Sequence, residues 1–402
     1  MSLFSRRIVV IGMLAVVMGL FASGALASEL TLPSAPAIKA PAVPADIENV
    51  QQYNRAIHVM AMLLVGFGFL MVFVKKYGRS ALTATYLLVA TAIPLYFLMN
   101  SSNVLGHAEG SIIKRMVLAE FAAASLLICA GALLGRIKMW QYIVLGMLFI
   151  PCYKVNEWIT LDGGLGLIAP KTVMDTGGSV IIHAFGALFG LGAMLMLTTK
   201  KQHETEIEAD ATSDRYSLLG SMVLWVFWPS FCGALVPAAQ IPQTAINVIL
   251  ALCGSTLATY FATVALRRKI SPADIANAAL AGGVAIGSTC DKADFFSQAF
   301  LIGITAGAIS TFGFAIIQGK LQGILKKTDT CGVMYLHGIP GIFGGLAAIP
   351  FIEPPYLAGS QVMAIAVSAG VALVGGALVG KIIALLGRHE EVYDDAAEFD
   401  LE

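Results

Sequence analysis

Residues 175–190, DTGGSVIIHAFGALFG, and residues 329–344, DTCGVMYLHGIPGIFG, are two copies of one pattern. Six of sixteen positions coincide: Asp, Thr, the glycine at position four, His, Phe and the last Gly, with Asp and His eight apart in both copies. Each copy passes from a polar start into an apolar run. In a membrane chain, a repeat that enters from opposite sides is the mark of an inverted-repeat transporter or channel, whose site lies near the midplane between the copies.

The rest of the chain supplies the membrane. Of its 402 residues 57% are hydrophobic and 12% charged, with 41 glycines and a mean hydropathy of +0.80. Soluble chains carry roughly 25% charged residues, so lipid must serve as part of the solvent. The 25 Lys and Arg balance 25 Asp and Glu, which leaves no basic patch and excludes a nucleic-acid partner. Apolar runs of about 20 residues predict helices near 55–74, 81–100, 114–134, 139–158, 175–198 and 216–236. Five more are expected near 243–266, 273–290, 296–318, 331–351 and 358–386. The expected fold is therefore an all-α membrane protein of eleven transmembrane helices, an inverted five-plus-five repeat with one additional C-terminal helix.

Arg6 and Arg7 precede the apolar run 8–21, and Ala25-Leu26-Ala27 follows it, so residues 1–27 read as a cleaved signal peptide. Residues 28–52 read as an extended Pro/Ala-rich extracytoplasmic segment, 53–388 as the transmembrane domain and 389–402 as a mobile acidic cytoplasmic tail. Sixteen Lys and Arg fall on one side of this topology, including Lys75, Lys76, Arg136, Lys138, Lys327 and Arg388, against seven on the other. The positive-inside rule makes the richer side cytoplasmic. Charge and signal agree on a multi-pass protein of the inner or plasma membrane, its mature N-terminus outside and its C-terminus in the cytoplasm. The longest internal loop, 199–214, is too short for a sensory output domain. The six cysteines stand singly in or beside apolar spans, as packing residues rather than a disulfide framework or metal cluster.

The two histidines carry the functional reading. Eight helical residues rise about 12 Å. If each aspartate marks its helix start in a core about 30 Å thick, the histidines lie within roughly 6 Å of each other in depth. Two mirrored ionisable side chains in a bilayer point to a pore or relay. A metal usually takes three or four ligands, and no further His or Cys has a supporting spacing, so no metal is expected. Burial penalises the imidazolium, and a neutral pair makes a polar track for a small molecule that both donates and accepts. Such a track suits ammonia better than a hydrated ion. Asp175 and Asp329 read first as helix-start caps; charge near a pore mouth would also favour a cation.

The chain resembles the ammonium transporter superfamily, and within it the Rhesus branch, along nearly all of its length after the leader. The resemblance runs through 58-HVM, 65-VGFGFLM, 119-AEF, 155-VNEW, 175-DTGGS, 182-IHAFG and 227-FWPSF. It continues in 245-AIN, 277-NAALAGGVAIG, 329-DTCG and 336-LHGIPG. It implies a homotrimer with one pore per subunit that conducts ammonia recruited as ammonium, without a cofactor and without enzymatic activity. Residue by residue it makes His183 and His337 the pore histidines, and Phe121 and Phe231 the stacked gate. Asp175 and Asp329 become the paired helix-start carboxylates, and Glu157 an acidic residue of the outer vestibule. Trp228 could line the outer mouth and attract a cation, or simply pack. Three positions depart from the pattern: Glu120 replaces Asp before the gate, Cys232 follows Phe231 where Asn is usual, and Leu235 stands where a cation-binding serine is found in the Amt branch. Leu235 favours low-affinity, bidirectional conduction. An electrogenic transporter and a gas channel also passing carbon dioxide are the alternatives, with methylammonium as a competing permeant.

Overall fold

The computed structural model describes residues 45–400 except 103–104, 106–109 and 293. The expected signal peptide and most of the segment after it lie outside the described residues. Helices dominate the chain: α1 Asp46–Phe73, α2 Gly78–Ser102, α3 Ile112–Leu133, α4 Met139–Thr160 and α5 Ser179–Leu197. There follow α6 Ala211–Cys232, α7 Ile241–Arg267, α8 Pro272–Ile286 and α9 Phe296–Leu325. The last two are α10 Met334–Phe351 and α11 Ala358–Leu385. Among the described residues no strand occurs, and eight helices are long and apolar enough to cross a membrane. Two 22-residue helices, α4 and α6, fall outside that apolar set, and the α8 segment is shorter. In α4 the cause is visible in Gln141, Lys154, Asn156 and Glu157, polar side chains buried against neighbouring helices. The outer surface is apolar, with Leu98, Met147, Met222, Val226, Val374 and Leu378 exposed, as lipid contact requires.

Small residues set the packing. Where α11 crosses α5, Gly376 and Gly380 lie against the carbonyls of Phe189 and Ala193. Where α9 crosses α7, Gly303 and Gly307 lie against those of Ala251 and Ser255. A methyl group at any of these four would strike backbone, which is how helices close on each other without a hydrophobic drive between them. Gly220 of α6 seats in the same way against Gly66 and Leu70 of α1. Glycines spaced four apart thus act at helix crossings.

Two expectations need correction. Residues 45–52, read as extended, already belong to the first helix, whose first turn carries Asp46 and Glu48 and so complements the helix dipole. The acidic tail, read as mobile, is docked. The Asp395 carboxylate accepts from the Arg79 and Ser80 amides at 3.0 and 2.8 Å, capping α2. Tyr393 packs over Gly135, which has φ of 76° and no room for a side chain. Its hydroxyl meets Arg136 and Thr330. Gln202 holds the His389 carbonyl at 2.8 Å and Glu398 the Met139 amide at 2.8 Å. The tail therefore binds the α1–α2, α3–α4, α5–α6 and α9–α10 connections on one face, called here the tail face.

Candidate functional site

Both copies of the repeated pattern build the same local device. The matching glycine at position four, Gly178 or Gly332, has φ of 73° or 67°, a left-handed turn that a side chain would strain. That turn folds the preceding aspartate back over the helix start. Asp175 accepts from the amides of Val180 at 3.1 Å and Ile181 at 2.8 Å. Asp329 accepts from those of Val333 at 3.0 Å and Met334 at 3.1 Å. Each carboxylate thus satisfies amides that a helix start leaves free. Asp175 also takes the Ser288 hydroxyl at 2.6 Å, and Thr176 donates to Asp291 at 3.0 Å.

Both helices then open in a wide π-turn, Ser179–Ala184 and Met334–Gly338, and each turn carries the histidine. Such turns recur at functional sites because the extra residue redirects a side chain. The helices run antiparallel: Gly338 faces Ala187, Gly341 faces Ala184 and Ser179, and Gly345 faces Val180. His183 and His337 meet between them, Nδ1 to Nδ1 at 3.2 Å, with rings 8° from parallel. The two ring centroids are 5.2 Å apart. A hydrogen bond between two Nδ1 atoms of neutral rings requires opposite tautomers, one protonated at Nδ1 and the other at Nε2.

Aromatic rings continue the line. Phe121 and Phe231 meet with centroids 4.5 Å apart and planes tilted by 42° rather than stacked as the resemblance implied, and Phe231 lies 5.9 Å from His183. Trp228 stacks on His183 at 5.5 Å and 22°. On the other side Phe67 stacks on His337 at 6.2 Å. From His337 a narrow cavity of about 20 Å³, lined by Phe67, Ile128, Gly131 and Cys331, leads toward the tail face. It shares Phe73, Asn277 and Cys331 with a second cavity of about 170 Å³, whose wall includes Asp214, Gln318 and Thr330. His183 Nε2 and Trp228 Nε1 are buried without a protein partner among the described residues.

The structure thus brings together His183, His337, Phe121, Phe231 and Trp228, with Asp175 and Asp329 one helix start away on each side. It places Glu157 elsewhere: buried, 3.1 Å from Lys154 Nζ and 2.9 Å from the Tyr96 hydroxyl, with the ammonium over the Tyr96 ring. Glu120, beside Phe121, is fully buried and neither of its oxygens has a partner among the described residues. Sequence reasoning singled out neither Phe67 nor Ser288 for this site. Phe67 sits in a π-turn of α1, Met62–Phe67, and nothing local in the sequence signals that it meets His337.

Fold and site together define a class: a polytopic membrane protein in which two inverted, carboxylate-capped helices meet at paired histidines. Comparison with known proteins narrows it. The model of the Ammonium Transporter Family matches residues 46–402. Ammonium transporter Rh type A of Bos taurus is 34% identical over 375 residues, 89% of this chain and 85% of that protein. Rh type C of Rattus norvegicus is 32% identical over 399 residues, 89% and 79% of the two. Among solved structures, Rh50 of Nitrosomonas europaea superposes with a TM-score of 0.85 at 50% identity, covering 89% of this chain and 93% of that one. Mep2 of Candida albicans, at 19% identity and a TM-score of 0.67 over 84% and 83% of the two chains, shares the fold. The chain belongs to the ammonium transporter family and is similar to its Rh-type members.

Proposed function

We propose that this protein is an Rh-type channel that recruits ammonium at the Asp175 face and passes ammonia along the His183–His337 track. The observation that carries the reading is the parallel, directly bonded histidine pair beside the tilted Phe121–Phe231 pair. An ion crossing that buried stretch would lose its hydration without a fixed counter-charge in contact, at a cost of several kcal/mol. Ammonia makes a far smaller demand, since it both donates and accepts. Ammonium therefore gives up its proton to water on its own side of the phenylalanines, and ammonia takes a proton from water beyond Phe67. His183 Nε2 and Trp228 Nε1, unsatisfied by the protein, face this traffic with hydrogen-bonding capacity to spare. Glu157 is neutralised by Lys154 and Glu120 is buried without a partner, so neither puts a free charge in the pathway, while Asp175 and Asp329 keep the two helix starts in place.

In this reading the chain has eleven spans and works as a homotrimer of the inner or plasma membrane, with the tail face in the cytoplasm. The Lys- and Arg-rich connections gathered by the tail support that orientation. Carbon dioxide and methylammonium share the pathway only if an apolar, neutral lumen is their sole requirement.

The test is an ammonium gradient across proteoliposomes, with internal pH and membrane current recorded on one preparation. A protein-dependent pH change without current is expected. A current that scales with ammonium would replace this reading with an electrogenic one, the proton crossing through the paired tautomers.

A further inference from the structure

Phe231 sits on a weak length of helix. Pro229 has no amide to give the Trp225 carbonyl, so α6 lacks a rung one turn before it ends at Gly233. Within α6 this last turn is closed by the Gly233 amide, which donates to the Pro229 carbonyl at 2.9 Å. Yet the Phe231 ring must keep one place, 4.5 Å from Phe121 and 5.9 Å from His183.

The hold comes from His58 of α1. Its Nδ1 and the Ser230 hydroxyl share a hydrogen bond at 2.8 Å. Its ring stacks on Phe227 with centroids 4.8 Å apart and planes 23° from parallel. Phe227 and Ser230 are three apart, hence neighbours on one side of α6, and Ser230 is the residue before Phe231. A ring contact and a hydrogen bond on one turn fix its rotation as well as its depth. We infer that His58 is the positioning residue of the gate, holding the last turn of α6 so that the Phe231 ring stands across the track. The same helix carries Phe67 against His337, so α1 braces the track at both ends. This inference rests on the reading of Phe231 as a gate.

The test separates the two contacts and reads the ring itself. In purified full-length protein, 4-fluorophenylalanine at position 231 reports the ring by fluorine NMR. His58→Phe keeps a ring on Phe227 and loses the hydrogen bond, and Ser230→Ala loses the same bond from its other partner. His58→Asn keeps the bond, because it places a polar atom two bonds from Cβ, where Nδ1 stands. The fluorine resonance should move or broaden in His58→Phe and Ser230→Ala and return toward wild type in His58→Asn. In proteoliposomes the first two should raise leak current per unit ammonia flux about fivefold over the wild-type background, the factor by which one hydrogen bond shifts an equilibrium. His58→Asn should restore it, a rescue that a general loss of stability would not show. An unmoved resonance in both His58→Phe and Ser230→Ala would overturn the assignment, and so would a His58→Asn variant as altered as His58→Phe. If the resonance moves while leak stays at wild type in these variants and in Phe231→Ala, the brace stands and the gate reading falls.

Discussion

At the scale of single residues, the repeated pattern exposed the centre and hid its surroundings. The equal Asp–His spacing brought the two rings together because both copies build the same left-handed turn and π-turn, not because eight residues of regular helix lie between them. The matching glycines were visible as letters, but their left-handed turns were not, since glycine permits any conformation and requires none. Phe67, which stacks on His337, carries no local mark at all; its role is a product of how α1 crosses the bundle. Two substitutions test this scale. Asp175→Asn keeps the shape but turns one acceptor into a donor facing the Ile181 amide or the Ser288 hydroxyl, leaving buried partners unsatisfied at about 1–3 kcal/mol. Thermal unfolding in detergent should show a lowered midpoint, and an unchanged one would remove Asp175 from the capping role. Phe231→Ala removes the ring shared by Phe121 and His183. It should raise ion leak relative to ammonia flux, read as current in the proteoliposome assay, and wild-type selectivity would defeat the gate assignment.

At the scale of elements, hydropathy located the apolar part of each helix and missed its polar ends. The span expected at 216–236 is the helix Ala211–Cys232. It starts earlier because Asp210 caps the first turn, accepting from Thr212 and Ser213 at 2.9 Å. It stops earlier because Gly233 ends it. Likewise the expected 296–318 runs on to Leu325 in a half-exposed stretch that lipid thickness does not dictate. The cap makes a pH prediction. Backbone hydrogen bonds from Ser213 and Thr212 hold the Asp210 carboxyl below its ordinary range. A depressed carboxyl favours the fold above its unfolded value, near 3.9, and that contribution disappears as pH falls through the folded value. Amide exchange in residues 211–214 should therefore accelerate on acidification below about pH 4, and Asp210→Ala should abolish that dependence. The α1–α6 crossing makes a stability prediction. Gly220→Ala drives a methyl group into the Gly66 carbonyl and Leu70 amide, backbone that cannot swing aside, at roughly 1–3 kcal/mol or more. Gly319→Ala, in α9 with nothing within 4 Å, should be neutral or gain up to about 1 kcal/mol. Equal unfolding midpoints for the two variants would count against the packing argument.

At the scale of the whole molecule, composition announced the membrane and the inverted repeat announced the pseudo-symmetry, since both are spread through the chain. The docked tail was illegible, because Asp395 and the amides it caps are more than 300 residues apart and an acidic terminus looks solvated from its letters alone. Its docking has its own acid sensitivity. Burial holds the His389 imidazole below its usual value, opposed by Glu398 at 3.7 Å and assisted by Lys138. A histidine whose folded value is lowered supports the fold while neutral, and that support is lost as pH falls from the ordinary value near 6.5. Exchange in residues 389–400 should rise between about pH 6.5 and 5, and His389→Gln should flatten the response. A tail that stays protected throughout would show that Glu398 outweighs burial. The capping of α2 by Asp395 also bears on biosynthesis. A ribosome has passed α1 to α11 before it reaches residue 395, so the Arg79 and Ser80 amides wait in water until that residue has been made. Chains released too soon would insert fully yet leave the connections of the tail face unfastened. A protease patrolling that surface could then distinguish finished molecules from unfinished ones.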